Sequence, residues 1–294
     1  MTLPSFVIIG AMKCATSTLA SQLAAQPGVF VSDPKEPNFF SDDEVYARGT
    51  GWYVSLFESA AEGDLVGEAS THYTKLPTHP KAAERLREHL PDAKLVYVMR
   101  HPIDRLVSQY VHEWSQKLVG GPIDDAVRAN EWMIDYGRYA MQLEPWLEAF
   151  GPDRVLPVFA ERMRAEPQSV LERVCTFLGY VGTPEWRELG DQNVSAARTR
   201  KSALRDAVVD APGLKQLRRT LVPKTLRTRV RSLWQMKERP VLGEQLRAEL
   251  ESVYDEDLGR LGRLLGLAAG GLTCASFARV AAARDYGFAA EVAR

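Results

Sequence analysis

The segment Phe6–Leu19, FVIIGAMKCATSTL, decides the fold of this chain. Its apolar, β-branched start predicts a buried first strand, after which Gly10 turns the chain and hydroxyl residues open an amphipathic helix. In that order the N–H groups of the turn and of the first helical residues converge on one point. The helix dipole adds partial positive charge there and Lys13 adds a full one. The segment therefore predicts an anion site for a phosphate-bearing small molecule.

The loop differs from a Walker A motif, in which Gly-Lys-Ser/Thr follows a four-residue spacer and the hydroxyl holds Mg²⁺. Here Lys13 comes three residues after Gly10, and the hydroxyl pair Thr16-Ser17 follows three residues later. The strand-like run 94–99 ends in Arg100, where a nucleotide hydrolase would have a metal-binding acid. This arginine indicates a second anion site and argues against Mg·ATP as the ligand.

Composition limits the class of protein. With 294 residues, 45% of them hydrophobic, the chain can build one substantial core. A net charge of −1 favours neither nucleic acid nor a membrane surface as a partner, and no apolar window approaches the roughly 18 residues of a membrane span. The chain has three cysteines without pairing or metal spacing and five scattered histidines, and it leaves no room for a signal peptide. These features predict a reduced, cytoplasmic protein without a metal site. The oligomeric state stays open.

Strand-like runs over 5–10, 94–99 and 154–159 alternate with helical patterns, which predicts an α/β fold with a central parallel sheet flanked by helices. The helical patterns lie near 16–26, 79–90, 102–117, 138–150, 166–178 and 241–265. The alanine-rich end predicts either a last helix or a frayed tail. We therefore expect a single domain over 1–267 and a C-terminal extension over 268–294.

Seven motifs follow one another along roughly residues 5–265. They are Gly10–Ser17, Lys35–Phe40, Gly51–Tyr53, Gly67–Tyr73, Arg100–Tyr110, Tyr136–Tyr139 and Phe177–Gly179. In this order the chain resembles the sulfotransferases that use 3′-phosphoadenosine 5′-phosphosulfate (PAPS), in the branch with heparan sulfate sulfotransferases and many bacterial relatives. The resemblance implies a P-loop-like fold and transfer of a sulfuryl group from PAPS to a hydroxyl or amine. The acceptor would be a small molecule or a glycan, and the second product 3′-phosphoadenosine 5′-phosphate (PAP).

The resemblance also implies the cofactor contacts. Lys13 would touch the 5′-phosphosulfate, while Arg100 and Ser108 would hold the 3′-phosphate, for which a guanidinium fork is suited. Arg105, the next arginine, is expected to face solvent or an acid. The remaining candidates are Cys14, Ala15, Thr16, Ser17 and Thr18 in the loop, and Arg200 and Lys201 in a segment that folds over the adenine in the family.

Ala15 departs from the family, which usually has glycine before the threonine. A methyl group fits there if the residue keeps a negative φ. If the turn requires a positive φ, we expect cofactor affinity to suffer.

Sulfuryl transfer needs a base that takes the acceptor proton. The resemblance assigns this role to Glu36, and a partly desolvated glutamate can have its pKa raised towards neutrality. His72 is the rival, because cytosolic sulfotransferases of small phenols and alcohols use a histidine. Carbohydrate-modifying members have His and Asp where this chain has Asn38 and Ser41, a departure that concerns the acceptor and leaves the chemistry unchanged.

Two other functions are compatible with a phosphate-binding α/β domain. A small-molecule or nucleotide kinase would need the Walker lysine motif and a metal acid, which this sequence does not have. A catalytically silent PAP-binding protein would be recognised by loss of Lys13 or Glu36, and both residues are present.

Overall fold

A computed structural model describes residues 3–189 and 238–289. Its strands are β1 Phe6–Gly10, β2 Val29–Val31, β3 Leu65–Ala69, β4 Lys94–Met99 and β5 Val155–Phe159. They form one sheet in the order β2-β3-β1-β4-β5, with every neighbouring pair parallel. β1 and β5 are buried along their whole length, as expected for a parallel sheet covered on both faces. The predicted fold class is confirmed.

The described helices surround this sheet. They are α1 Thr16–Ala24, α2 Asp43–Tyr46, α3 Gly49–Ser55, α4 Ala82–His89, α5 Pro102–Gln116, α6 Ile123–Arg128, α7 Trp132–Asp135, α8 Tyr139–Phe150, α9 Ala160–Ala165, α10 Pro167–Leu178, α11 Glu244–Leu264 and α12 Cys274–Ala283. Two short 3₁₀ segments cover Thr71–Thr74 and Pro152–Arg154. The six helical patterns of the sequence correspond to α1, α4, α5, α8, α10 and α11.

Strands β2 and β3 were not predicted. β2 is only three residues long, and β3 contains Gly67 and Glu68, which break an apolar pattern. Gly67 is required by packing, because a Cβ there would lie 2.3 Å from the Phe6 ring. The close approach of β3 to β1 explains why a weak strand former occupies the centre of this strand.

The C-terminal helices pack onto the same core. In α11, the buried Asp257 accepts the N–H groups of Ala140 and Met141 at 2.9 and 3.1 Å, which satisfies the first turn of α8. In α12, Phe277 and Ala281 are fully buried against the rest of the domain. Of the two alternatives for the alanine-rich segment, the helix is the one that forms over 274–283.

Across 3–189 and 238–289, the structure contains no helix long and apolar enough to cross a bilayer. The three cysteines, Cys14, Cys175 and Cys274, are free thiols and are all buried.

Candidate functional site

The predicted site residues follow the carboxyl ends of adjacent strands. β1 ends at Gly10, where the loop that carries Lys13 begins (Gly10–Ser17, the Lys13 loop), and β4 ends at Met99 before Arg100. β3, on the other side of β1, ends at Ala69, before the 3₁₀ segment that carries His72. Ligands of open parallel sheets bind outside this edge. Strand order therefore brings three distant parts of the sequence to one place.

Position 10 requires glycine because the 3₁₀ segment approaches it closely. The Thr74 hydroxyl donates to the Ile9 carbonyl at 2.9 Å, and a Cβ on Gly10 would lie 1.9 Å from that hydroxyl oxygen. The loop then closes against β4, because the Ala11 N–H donates to the Val98 carbonyl at 2.7 Å. Glycine at this position lets β1 end directly in the turn predicted to bind phosphate.

Ala15 has the left-handed conformation, with φ of 67°, and Lys13 has φ of 68°. The turn thus requires the positive φ that glycine supplies in the family, and Ala15 adopts it with a strained backbone. No side chain caps α1 at this position. The first N–H groups of α1, at Thr16, Ser17 and Thr18, therefore remain available to an anion. The expected loss of cofactor affinity stays a prediction.

Cys14 and Tyr139 connect this loop to the end of β4. The Cys14 thiol lies 3.6 Å from the Tyr139 hydroxyl, which accepts the Arg100 N–H at 3.2 Å and donates to the Arg100 carbonyl. Burial raises the pKa of Cys14 to about 11, so its side chain stays a thiol and is no nucleophile. Tyr139 was not predicted as a site residue, although it ends the Tyr136–Tyr139 motif.

Arg100 lies at the expected strand end with 20% of its side chain exposed, and its Nη2 is 3.6 Å from the Asp104 carboxylate. Ser108 is buried on α5. The expectation that Arg105 faces solvent or an acid is wrong. Arg105 is fully buried, and its guanidinium donates to the Gln109 side chain at 2.8 Å and to the Met133 carbonyl at 2.6 Å. These neutral acceptors compensate for the loss of water around its charge.

Glu36 follows β2 and is held at the edge of the sheet, where its N–H donates to the Ala69 carbonyl at 3.1 Å. Its Oε1 lies 2.7 Å from Lys35 Nζ and accepts the Thr71 hydroxyl at 3.4 Å. Burial acts to raise the pKa of Glu36, but Lys35, followed by Lys75 and His72, outweighs it and leaves this pKa below its ordinary value. The expectation of a raised pKa is therefore wrong, and Glu36 is an ionised carboxylate at neutral pH.

Hydrogen bonds from β3 hold the turn that carries Glu36. The Asn38 N–H donates to the Ser70 hydroxyl at 3.1 Å, and Ser70 donates to Glu68 Oε2 at 2.7 Å. Glu68 Oε1 also accepts the hydroxyls of Tyr53 and Tyr73, at 2.8 and 2.7 Å. Glu68 is fully buried and its burial raises its pKa, and its hydrogen bonds organise the interior of the site.

His72 lies in the 3₁₀ segment, with Nδ1 3.3 Å from Asp42 Oδ2. Its ring stacks on His79, with centroids 4.9 Å apart and planes 18° apart. Burial, assisted by the Lys75 charge, lowers the pKa of His72 to about 4, so the imidazole is neutral at pH 7. The expectation of scattered histidines without a ligand cluster is wrong, because two of them meet at Asp42.

The sequence did not indicate Lys75 and Glu113 as site residues. Only 8% of Lys75 is exposed, and burial lowers its pKa although Glu113 and Glu36 oppose that effect. Burial raises the pKa of Glu113, against the charges of Lys75 and Lys13. The site thus contains a set of alternating charges that extends from the Lys13 loop to Glu36. Arg200 and Lys201 lie outside the described residues.

Comparison with known proteins finds similarity to the same family. A sequence model described as the Sulfotransferase family matches residues 55–184. The human heparan sulfate glucosamine 3-O-sulfotransferase 6 is 32% identical over 189 residues, which cover 60% of this chain and 52% of that protein. The human bifunctional heparan sulfate N-deacetylase/N-sulfotransferase 3 is 29% identical over 197 residues, covering 60% of this chain and 22% of that protein. The chain thus spans about half the length of the first relative and less of the second.

A solved sulfotransferase from Alicyclobacillus acidocaldarius has the same fold, with a TM-score of 0.65 and 24% identity over 91% of this chain and 98% of that one. The motifs, the strand order and the family match therefore agree, and the chain is similar in sequence and in fold to the sulfotransferases.

Proposed function

We propose that the protein transfers a sulfuryl group from PAPS to a hydroxyl or amine and releases PAP. The observation that carries the proposal is the placement of the Lys13 loop and Arg100 at the ends of the adjacent strands β1 and β4. Two cationic side chains at one sheet edge suit a nucleotide with phosphates on both sides of its ribose. Similarity to the sulfotransferase family supports the same chemistry.

In the proposed reaction Glu36 takes the acceptor proton while the acceptor atom forms a bond to sulfur. The bond between sulfur and the bridging phosphate oxygen breaks, and PAP leaves with that electron pair. Lys13 and the N–H groups at the start of α1 stabilise the negative charge that appears on the phosphate. Arg100 and Ser108 keep the nucleotide in place. The rate then depends on positioning and electrostatics, as in phosphoryl transfer.

Glu36 is the proposed base because it is ionised at neutral pH and Lys35 and Thr71 fix its carboxylate. His72 is the alternative, because a neutral imidazole that turns Nδ1 towards Asp42 leaves Nε2 to accept a proton. Glu36→Gln keeps the shape but cannot accept the proton, so turnover should fall by roughly 10²–10⁴ with PAPS affinity retained. Glu44→Gln, an exposed matched change, should have no effect.

His72→Asn should then raise mainly the KM for the acceptor. Near-normal turnover in Glu36→Gln together with collapse in His72→Asn would reverse the assignment. Both variants are to be assayed with labelled PAPS after their fold is verified by circular dichroism.

For the acceptor we propose a glycan with free hydroxyl or amino groups, since relatives are named for heparan sulfate glucosamine O-sulfation and for N-sulfation. A small-molecule acceptor is the alternative, supported by Asn38 and Ser41 in place of the His and Asp of carbohydrate-modifying members. A screen of glucosamine-containing oligosaccharides against phenols and aliphatic alcohols, with labelled PAPS, distinguishes the two.

The kinase alternative has a direct test. Calorimetry should give far tighter binding of PAP than of AMP or ADP, without a requirement for Mg²⁺. Mg²⁺-dependent binding of ATP with affinity equal to that of PAP would instead favour a kinase. A cytoplasmic location, a metal-independent reaction and a domain limited to 1–267 stay predictions.

A further inference from the structure

Asp42, His72 and His79 come from three segments that meet beside Glu36. The Asp42 N–H donates to the Asn38 carbonyl at 3.1 Å, in the turn anchored by the buried Phe39-Phe40 pair. His72 lies on the 3₁₀ segment after β3, and the His79 N–H donates to the Lys75 carbonyl at 3.0 Å. All three backbones are thus held by the fold, and their side chains converge without a loop having to close.

The separations between their donor atoms match those around a small metal ion. His72 Nδ1 lies 3.3 Å from Asp42 Oδ2, and His79 Nδ1 lies 3.6 Å from Asp42 Oδ1. One ligand atom from each of the three residues lies within 4.8 Å of the other two. Tetrahedral bonds of about 2.0–2.2 Å place neighbouring donors roughly 3.3–3.6 Å apart. The two measured separations lie in this range, each to a different oxygen of the Asp42 carboxylate.

The arrangement of the two imidazole rings also suits a shared metal ion. The ring stacking keeps the two imidazoles side by side, with Nδ1 of each facing the same carboxylate. Among the residues in 3–189 and 238–289, this is the one group of three or more His, Cys, Asp or Glu side chains with such spacing.

We propose that Asp42, His72 and His79 form a binding site for a divalent transition-metal cation of the zinc class. Two imidazole nitrogens and one carboxylate suit Zn²⁺ or Co²⁺, whereas Mg²⁺ and Ca²⁺ prefer oxygen donors throughout. Three protein ligands leave a fourth position for water. The nearby Glu36 charge favours the cation and the Lys75 charge opposes it.

Metal binding has a consequence for the choice of base. A cation on His72 occupies the nitrogen through which the imidazole contacts Asp42, so the residue becomes a ligand. Glu36 is then the group that remains to take the acceptor proton. Binding of the metal at this site does not depend on whether the protein transfers a sulfuryl group.

The test is titration of the untagged full-length protein with Co²⁺, followed by displacement with Zn²⁺. We expect saturation at one equivalent, with the visible absorption of tetrahedral Co²⁺. Asp42→Asn and His79→Gln should each weaken binding by at least about tenfold. Asp43→Asn is the matched control, since its carboxylate is 73% exposed and is bound by Arg85, and it should leave the affinity for Co²⁺ unchanged.

A second measurement on the wild-type protein covers the case in which the variants do not fold. Zn²⁺ should shift the imidazole signals of two of the five histidines in the NMR spectrum. Absence of saturable binding to the folded wild type would overturn the proposal. So would equal affinity in Asp42→Asn, His79→Gln and Asp43→Asn, because the metal would then bind elsewhere.

Discussion

Replacing Ala15 by glycine should stabilise the protein, although it removes a methyl group. Ala15 precedes α1 with φ of 67°, in the left-handed region where a Cβ crowds the backbone. Its side chain is exposed, so truncation removes no buried packing. The substitution therefore isolates the backbone strain in the phosphate-binding turn.

The magnitude follows from two opposing effects. An L-residue in the left-handed region costs about 1–2 kcal/mol, and glycine relieves that cost. Glycine also gives the unfolded chain more freedom, which costs about 0.4–1 kcal/mol. The net gain for Ala15→Gly is roughly 0.5–1 kcal/mol in the free energy of unfolding. For a chain of this length it corresponds to a rise of about 1–4 °C in Tm.

The assay is urea unfolding, together with thermal unfolding, of Ala15→Gly and Ala248→Gly. Ala248 is also exposed but lies inside the helix α11, where glycine should destabilise by about 0.5–1 kcal/mol. The two variants should thus shift stability in opposite directions. If Ala15→Gly lowers Tm as Ala248→Gly does, the reasoning from positive φ is refuted. Titration with PAP should show binding by Ala15→Gly at least as tight as by the wild type.

Three further predictions concern charged groups. Arg100→Ala should weaken PAP binding by about 2–3 kcal/mol in calorimetry, while the exposed Arg164→Ala should not; equal losses would place the 3′-phosphate site elsewhere. The pKa of Glu36 lies below its ordinary 4.5, so turnover should be flat from about pH 6 to about pH 8. It should fall only as the pH drops through the Glu36 pKa, and a rise in turnover across neutrality would contradict Glu36 as base. Burial raises the pKa of Glu68, so the folded state binds the Glu68 proton more tightly than the unfolded state does. The free energy of unfolding of the wild type, relative to that of Glu68→Gln, should therefore fall as the pH rises above 4.5. A difference in urea unfolding that does not change with pH would refute this.

The fold was predictable to the extent that its elements have local signals. β1, β4 and β5 are apolar runs, and the helices α1, α5 and α8 have helical spacing, so the α/β class followed directly. β2 and β3 are short or contain glycine and an acid, and they become strands only because neighbouring strands supply their hydrogen bonds. β2 and β3 were not predicted because their local strand preference is weak and pairing with neighbouring strands decides their structure.

The site shows the same division. Lys13 and Arg100 were recognisable because each follows an apolar strand and adds a positive charge at its end, whereas Glu36 was assigned through the family resemblance. Arg105 was misplaced because a helical arginine has no local signal that distinguishes burial from exposure. Its two terminal nitrogens donate to Gln109 and to the Met133 carbonyl on another helix.

By itself, the sequence determined the strands β1, β4 and β5, the turn and helix that follow β1, and the resemblance to the sulfotransferases, since each strand, turn and motif is encoded by residues close together in the chain. The tertiary structure alone decided the positive φ of Ala15, the lowered pKa of Glu36 and the meeting of His72 and His79 at Asp42. Electrostatic interactions and metal-ligand spacing depend on distances in space, and here the sheet order sets them by placing the ends of β2, β3, β1 and β4 along one edge.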